Sequence, residues 1–458
     1  MRSDSPHSGL LADLYELTMA AGYFETGFQG RASFEVFART LPPRRNFLVA
    51  AGLEQALEFL ESVHFLAGEI DYLRQQPAFA GIGAEFFEYL ANFRFSGDVV
   101  AMPEGTLCFP GEPLLRVTAP IAEAQVVETA LLATMSFQTM IASKAARVVE
   151  AAAGRPVVEF GSRRAHGIES GVLAARAAYI GGCLGTSNVQ AGRLFGIPTY
   201  GTQAHSWIMA HENEEEAFGR FLDVFPRHSV FLLDTYDVRN ALETVIAMGR
   251  KPRGVRLDSG DVGADSRWVR QRLDEAGWGD VEIFISGDLD EDRIASLLAS
   301  GARVDTFGVG TALSTSADAP FVGMNYKLVE VERDGHLHNV AKFSAAKVTY
   351  PGRKQVYRTF AHSGSQINGL AGDVIALESE QVVGAEPLLA PMMAGGKRVS
   401  AAEPLKEAQL RCRSQVERLP ERLRELGAAK LPYPVRYSAR LEELLGQLRE
   451  RVARVSPE

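Results

Sequence analysis

Cysteine is scarce in this chain. Its 458 residues include three, Cys108, Cys183 and Cys412, far apart, with no CxxC pair and no Cys/His ligand spacing. That excludes a disulfide framework and a recognisable zinc site, and it fits a reducing compartment. Long apolar runs are missing too. None approaches the ~18 residues that a membrane span requires, and no basic-then-apolar leader opens the sequence, so no membrane partner and a cytoplasmic location are expected. Positive charge is not in excess: 48 Lys and Arg stand against 57 Asp and Glu, a formal net charge of −9. Nucleic acid is therefore not expected as a partner, although a local Arg cluster can still oppose the global sign for a phosphorylated small molecule. No Walker-type GxxxxGK[ST] occurs, so any ATP needs another cradle.

What remains is an ordinary globular composition, 46% hydrophobic and 23% charged, long enough for two or three domains. Residues 9–22 read as a helix with Leu10, Leu14, Leu17 and Ala21 on one stripe and Tyr15 off it. Residues 97–120, punctuated by Pro103-Glu104-Gly105 and Pro110-Gly111, read as a small β-rich module. From about 154 to 313 short apolar runs alternate with amphipathic helices: Pro156–Phe160, Ile197–Tyr200, Val230–Leu233, Val255–Leu257, Val281–Ile285 and Val304–Val309. One intervening helix has Asp290 as its N-cap and Gly301 at its end. Such alternation predicts an α/β fold with a parallel sheet, and polar residues at each strand's C-terminal end favour an irregular, TIM-like β/α barrel with its site at that face. Beyond 320 the chain turns β-rich, with Asp334-Gly335 and Pro351-Gly352 as hairpin signals, and 401–458 reads as helices. The expected division is an N-terminal α+β domain (1–135), a barrel (136–320), a β-rich segment packing with the N-terminal domain (321–400) and C-terminal helices (401–458).

Six stretches end successive barrel strands. In Glu159-Phe160-Gly161-Ser162-Arg163-Arg164, two Arg beside a Gly turn suit a phosphate clamp or a solvated basic loop. His205, in Gly201-Thr202-Gln203-Ala204-His205-Ser206-Trp207, is by itself either a hydrogen-bonded structural residue or a reactive one. Asp234, in Leu233-Asp234-Thr235-Tyr236-Asp237, either orients an imidazole or caps the next helix. Arg256 and Asp258 fall on one face of a strand, as a structural ion pair or as a working one. Ser286-Gly287-Asp288 and Gly308-Val309-Gly310-Thr311 are Gly-rich turns of the kind that cradle phosphate.

Read in order, "LLADLYELTMAAGYF", "EFGSRRAHG", "LGTSNVQAG", "GTQAHSW", "LLDTYDV", "GVRLDSGD", "SGDLDE" and "FGVGTAL" resemble the nicotinate phosphoribosyltransferases. The resemblance covers about residues 10 to 330; the C-terminal part fits only loosely. It implies an irregular α/β barrel, a second β-rich domain built from both ends of the chain, and a homodimer with the site at the subunit interface. It also implies the conversion of nicotinate and phosphoribosyl pyrophosphate to nicotinate mononucleotide and pyrophosphate, in NAD salvage, coupled to ATP hydrolysis. By matching residue to residue, it implies that His205 becomes a phosphohistidine, that Tyr15, Thr202 and Arg256 contact the pyridine, and that Thr311 holds the 5′-phosphate. Tyr15 would come from the partner subunit.

The residue types agree with that chemistry. Arg163 and Arg164, with the turns at Gly287, Asp288, Gly308 and Gly310, would bind phosphoribosyl pyrophosphate, and Asp258 or Asp288 would hold Mg2+ through water. The pyridine nitrogen needs no deprotonation, so positioning and electrostatics would carry catalysis. Phe160 would stack on the pyridine or serve the core. Nicotinamide-using relatives carry Asp where this chain has Ser187, which favours nicotinate here. The alternatives are a nicotinamide or quinolinate enzyme of the same fold, a silent pyridine-nucleotide-binding relative, and an unrelated sugar-phosphate barrel with His205 as general base.

Overall fold

The computed structural model describes residues 7–344, 347–363 and 366–455. They form two compact units, Met140–Pro320 and Met1–Thr139 with Phe321–Glu458.

Among the described residues of the first unit, six strands make one sheet in the order Gly185–Thr186, Val157–Glu159, Thr306–Val309, Glu282–Ile285, Gly254–Leu257, Val230–Leu232. Every neighbouring pair is parallel. One side of each longer strand is wholly apolar: Val255, Leu257, Ile283, Ile285, Phe307 and Val309 have no exposed surface. Helices Ile168–Ile180 and Val262–Glu275 pack on the sheet. Alternation then turns Val158, Val230 and Phe284 to the other side, where they cluster with Phe160 and Tyr200. The Asp290 carboxylate caps helix Glu291–Ala299 by accepting the Arg293 N–H at 2.7 Å.

The sheet is not closed into a barrel by a continuous ladder. Residues 197–203, expected to hold a strand at Ile197–Tyr200, run along the Gly185–Thr186 edge with a single parallel bridge, Thr199 opposite Thr186. Thr186 N donates to Pro198 O (3.1 Å) and Tyr200 N to Thr186 O (2.9 Å). Toward the Val230–Leu232 edge there are two long bonds, Gln203 N to Val230 O and Leu232 N to the Gln203 side-chain oxygen, both at 3.4 Å. Pro198 has no N–H to give, and Gly201 weakens extended pairing, so the segment stays irregular. Gly185–Thr186 in turn carries no apolar run and so gives no periodic signal in the sequence.

In the second unit a seven-stranded antiparallel sheet interleaves both ends of the chain, in the order His336–Asn339, Met324–Arg333, Arg31–Ala38, Pro113–Pro120, Asp98–Ala101, Ala390–Ala394, Lys397–Arg398. Asp334-Gly335 is the hairpin turn its sequence predicts, with both φ angles positive (50° and 73°). Pro351-Gly352 is not: the strand before it pairs with Phe343–Ser344 and the strand after it with Gln366–Leu377. Residues 401–458 contain a strand as well as helices, Val435–Tyr437, parallel to part of Gln366–Leu377.

The N-terminal helix departs from its expected register. It spans Leu14–Glu25 and buries Glu16, Leu17, Ala20 and Ala21, leaving Leu14 56% and Tyr15 45% exposed. A carboxylate faces inward because it has partners there: Glu16 accepts the Thr129 N–H (3.1 Å) and the Thr129 hydroxyl.

Candidate active site

The site is built at the C-terminal ends of the parallel strands of the Met140–Pro320 unit. Val255 and Leu257 anchor their strand to the outer layer, so Arg256 faces the interior, 12% exposed. Its guanidinium is held on three sides. Nε donates to Ser286 Oγ (2.7 Å), Nη1 to Thr202 Oγ1 (2.8 Å) and Nη2 to Asp258 Oδ1 (2.5 Å). Ser286 also donates to Asp258 Oδ1 at 2.5 Å. Burial opposes ionisation of Asp258, but the charge of Arg256, hydrogen bonds from Ser286 and Arg256, and nearby His205 outweigh it and hold the carboxyl below its ordinary value. The Arg256–Asp258 pair is thus fixed in place, while two of the five guanidinium N–H groups remain for a ligand.

Phe160 takes the core role, one of the two expected of it. The ring joins the apolar interior, lying nearly parallel to Phe284 with centroids 6.3 Å apart, and Arg256 Cζ stands 5.8 Å from its centroid. Gly308 makes this possible, since a Cβ there would come within 2.7 Å of the Phe160 ring. An aromatic edge, a fork with spare donors and the Thr202 hydroxyl suit a flat ring carrying a carboxylate.

His205 opens helix His205–Met209, its side chain 43% exposed. Nδ1 lies 3.1 Å from Thr235 Oγ1, and Nε2 lies 3.9 Å from Asp258 Oδ2. Asp234 fills neither role expected of it. Its Oδ2 accepts the Asp258 N–H (3.2 Å) and the Ser259 hydroxyl (2.5 Å), bracing the Asp258 turn, and its Oδ1 is buried without a hydrogen-bond partner. The cap of helix Val238–Ala247 is Asp237, three residues on, which accepts the Asn240 N–H at 2.8 Å. The imidazole is oriented instead by Thr235, one residue past the acid that the sequence pointed to.

The anion-binding candidates lie on the turns. Arg163 and Arg164 sit in a short 3-10 turn, Ser162–Arg164, both exposed and, among the described residues, unpaired. Gly287 has φ 88°, and a Cβ there would come within 1.7 Å of the Asp258 carbonyl oxygen, so no other residue fits that turn. Asp288 follows it, also at positive φ (45°), and is exposed. Gly310 precedes the short helix Thr311–Ser314, with Thr311 exposed. Ser187 follows the Gly185–Thr186 strand and donates its N–H to Glu159 O at 2.9 Å. Tyr15 belongs to the other unit. Among the described residues no group of three or more His, Cys, Asp or Glu is gathered to hold a metal ion.

Comparison with known proteins gives the family. Family models for the N-terminal domain of nicotinate phosphoribosyltransferase, its family region and its C-terminal domain match residues 10–136, 156–366 and 381–445. A nicotinate phosphoribosyltransferase of Mycobacterium tuberculosis, pncB2, is 45% identical over 447 residues, 96% of this chain and 94% of that protein. The chain belongs to the nicotinate phosphoribosyltransferase family. The Bacillus subtilis nicotinate phosphoribosyltransferase is 43% identical over 383 residues, covering 81% of this chain and 77% of that one. The crystal structure of human nicotinic acid phosphoribosyltransferase superposes with a TM-score of 0.83 at 28% identity, over 95% of this chain and 99% of that one. The likeness to nicotinate phosphoribosyltransferases thus continues through residues 381–445, where the motifs alone fitted loosely. Sequence reasoning missed two polar contacts, Ser286 on Arg256 and Thr235 on His205. Both lie inside motifs that it singled out, and what hid them was the direction of each side chain.

Proposed function

We propose that this protein transfers the phosphoribosyl group of phosphoribosyl pyrophosphate to nicotinate, giving nicotinate mononucleotide and pyrophosphate for NAD biosynthesis. The observation that carries the reading is the Arg256 guanidinium, fixed by Ser286, Thr202 and Asp258 beside Phe160 with N–H groups to spare for a carboxylate. A neutral Ser187 in place of an acid leaves nicotinate's charge unopposed. The unpaired Arg163 and Arg164, with the turns at Gly287, Asp288, Gly308, Gly310 and Thr311, take the phosphates of the donor. Nicotinate attacks the ribose C1 through its ring nitrogen, pyrophosphate departs, and no base is needed.

ATP is the coupling substrate in this reading, and His205 carries the phosphoryl group. One imidazole nitrogen is held by Thr235 and the ring is partly open to solvent, as an acceptor requires. ATP phosphorylates His205 and leaves as ADP, and water later releases phosphate and restores the histidine. Mg2+ keeps most of its waters and prefers phosphate oxygens, which suits a site with Asp258 and Asp288 but no cluster of three protein ligands. Bound there, it would supply charge neutralisation to the leaving pyrophosphate. A second copy of the chain covers the helix face that exposes Leu14, Tyr15 and Met19, making a homodimer to whose site Tyr15 of one copy contributes. The protein is cytoplasmic; no helix among the described residues is long and apolar enough to cross a membrane.

The test is to incubate the protein with Mg2+, phosphoribosyl pyrophosphate and labelled nicotinate, with and without ATP, and to repeat this with His205→Ala. Mononucleotide formation stimulated by ATP in the parent but not in the variant is expected. No mononucleotide under any condition overturns the reading. Nicotinate should be preferred over nicotinamide by at least about tenfold in kcat/KM, ~1.4 kcal/mol, and equal use of both refutes the substrate assignment.

A further inference from the structure

Glu159 ends the Val157–Glu159 strand with no exposed surface, and among the described residues no cation pairs with it. A lone buried carboxylate is costly, and burial pushes its pKa up, opposed by hydrogen bonds from Thr186 and Gly161. Those bonds tie together two turns of the site. One carboxylate oxygen accepts the Gly161 N–H, at the start of the turn that carries Arg163 and Arg164. The other accepts the Thr186 hydroxyl at 2.5 Å. Thr186 Oγ1 accepts in turn from Asn188 N (2.9 Å), and Asn188 Nδ2 donates across to Ser162 Oγ (3.0 Å). The Glu159 carbonyl takes the Ser187 N–H at 2.9 Å. Gly161 is packed closely against Ser314: a Cβ there would come within 2.3 Å of Ser314 Oγ, and the Ser314 hydroxyl donates to Gly161 O at 3.2 Å.

We propose that Glu159 is a positioning residue that fixes the separation between the Arg163/Arg164 turn and Ser187, and so sets both the hold on pyrophosphate and the preference for nicotinate over nicotinamide. The inference rests on the function proposed above. A carboxylate suits this position because two donors converge on it, the Gly161 N–H and the Thr186 hydroxyl, whose oxygen also accepts from Asn188 N. Glutamine matches the volume but presents an NH2 to one of these donors, so either the Gly161 N–H meets a second donor or the Thr186 hydroxyl must turn its proton away from residue 159.

The experiment compares Glu159→Gln, Thr186→Val and Thr186→Ser with the parent. Three quantities are read: the ratio of kcat/KM for nicotinate to that for nicotinamide, pyrophosphate affinity by calorimetry with Mg2+, and the melting temperature. In Glu159→Gln and Thr186→Val the ratio should fall about fivefold or more and pyrophosphate affinity about threefold or more, the scale of a small misplacement of binding groups. Thr186→Ser keeps the hydroxyl and should stay within about twofold of the parent on both counts. Should Glu159→Gln fail to fold, Thr186→Val cuts the same link from the other side. Variants that lower both pyridine substrates alike, with unchanged pyrophosphate affinity, overturn the proposal. A parent that makes no mononucleotide overturns the function instead, and the calorimetry still reads the Arg163/Arg164 turn; unchanged affinity there overturns the positioning role.

Discussion

Arg256→Lys keeps the positive charge and removes the fork. In the parent, three guanidinium nitrogens point at Ser286, Thr202 and Asp258, at 2.7, 2.8 and 2.5 Å. A lysine ammonium offers three donors from one point on a shorter reach, so it can keep the Asp258 contact but cannot also span Thr202 and Ser286. If the fork binds the substrate carboxylate as proposed, that carboxylate then loses one of two parallel bonds to a charged donor, a loss of ~2–3 kcal/mol. At 1.36 kcal/mol per decade this predicts a drop in kcat/KM for nicotinate of about 30- to 150-fold. Nicotinamide has no carboxylate to pair, so its much lower rate should fall by less. Steady-state kinetics at saturating phosphoribosyl pyrophosphate and ATP would measure both, with a thermal melt alongside, since Asp258 keeps a cation and the fold should hold. A variant within about threefold of the parent on nicotinate would refute the idea that the fork recognises the carboxylate. So would an equal loss on both pyridines.

Thr235→Val removes the hydroxyl beside His205 Nδ1, and ATP stimulation of product formation should drop about 2- to 10-fold, the worth of one neutral hydrogen bond; Thr235→Ser should restore it. Glu16, whose pKa burial pushes up to about 7 despite its Thr129 hydrogen bond, holds its proton more tightly folded than unfolded. Its contribution to stability is therefore full below pH ~4.5 and is lost as pH rises towards 7. Glu16→Gln should raise the unfolding free energy at pH 8 by ~1–2 kcal/mol after allowance for solvent screening, and leave it nearly unchanged at about pH 3.5, below the unfolded value; equal effects at both would refute the linkage. Lys144, 2% exposed, bonds Glu291 and, at 2.8 Å, Asp318. Lys144→Met leaves the 2% exposed Glu291 carboxylate with Arg147 (3.1 Å) but without its lysine, and should cost ~2 kcal/mol in urea denaturation, a change under ~0.5 kcal/mol being the result against it.

The sequence by itself determined the periodic parts of this protein. The apolar runs at Val157, Val230, Val255, Ile283 and Phe307, most of them followed by a helix of nine or more residues, specify a parallel sheet, because a strand buried on one side by helices must be apolar there over several residues. Local chemistry was equally legible: Asp290 as a helix cap, Asp334-Gly335 as a hairpin turn, and the Arg256–Asp258 pair on one strand face. Tertiary structure alone decided which partner each polar group found. Asp234 caps nothing and does not touch the imidazole, because the Asp258 turn, 24 residues on, offers it an N–H and a hydroxyl. Glu16 turns inward because Thr129, 113 residues away, meets it there. Gly185–Thr186 becomes a strand through its neighbours rather than its own two residues, and Ile197–Tyr200 stays irregular despite its apolar content. Periodicity follows from the backbone's own geometry and is written locally. The direction of a single hydrogen bond depends on chain brought alongside from far away, and only the assembled fold supplies that neighbour.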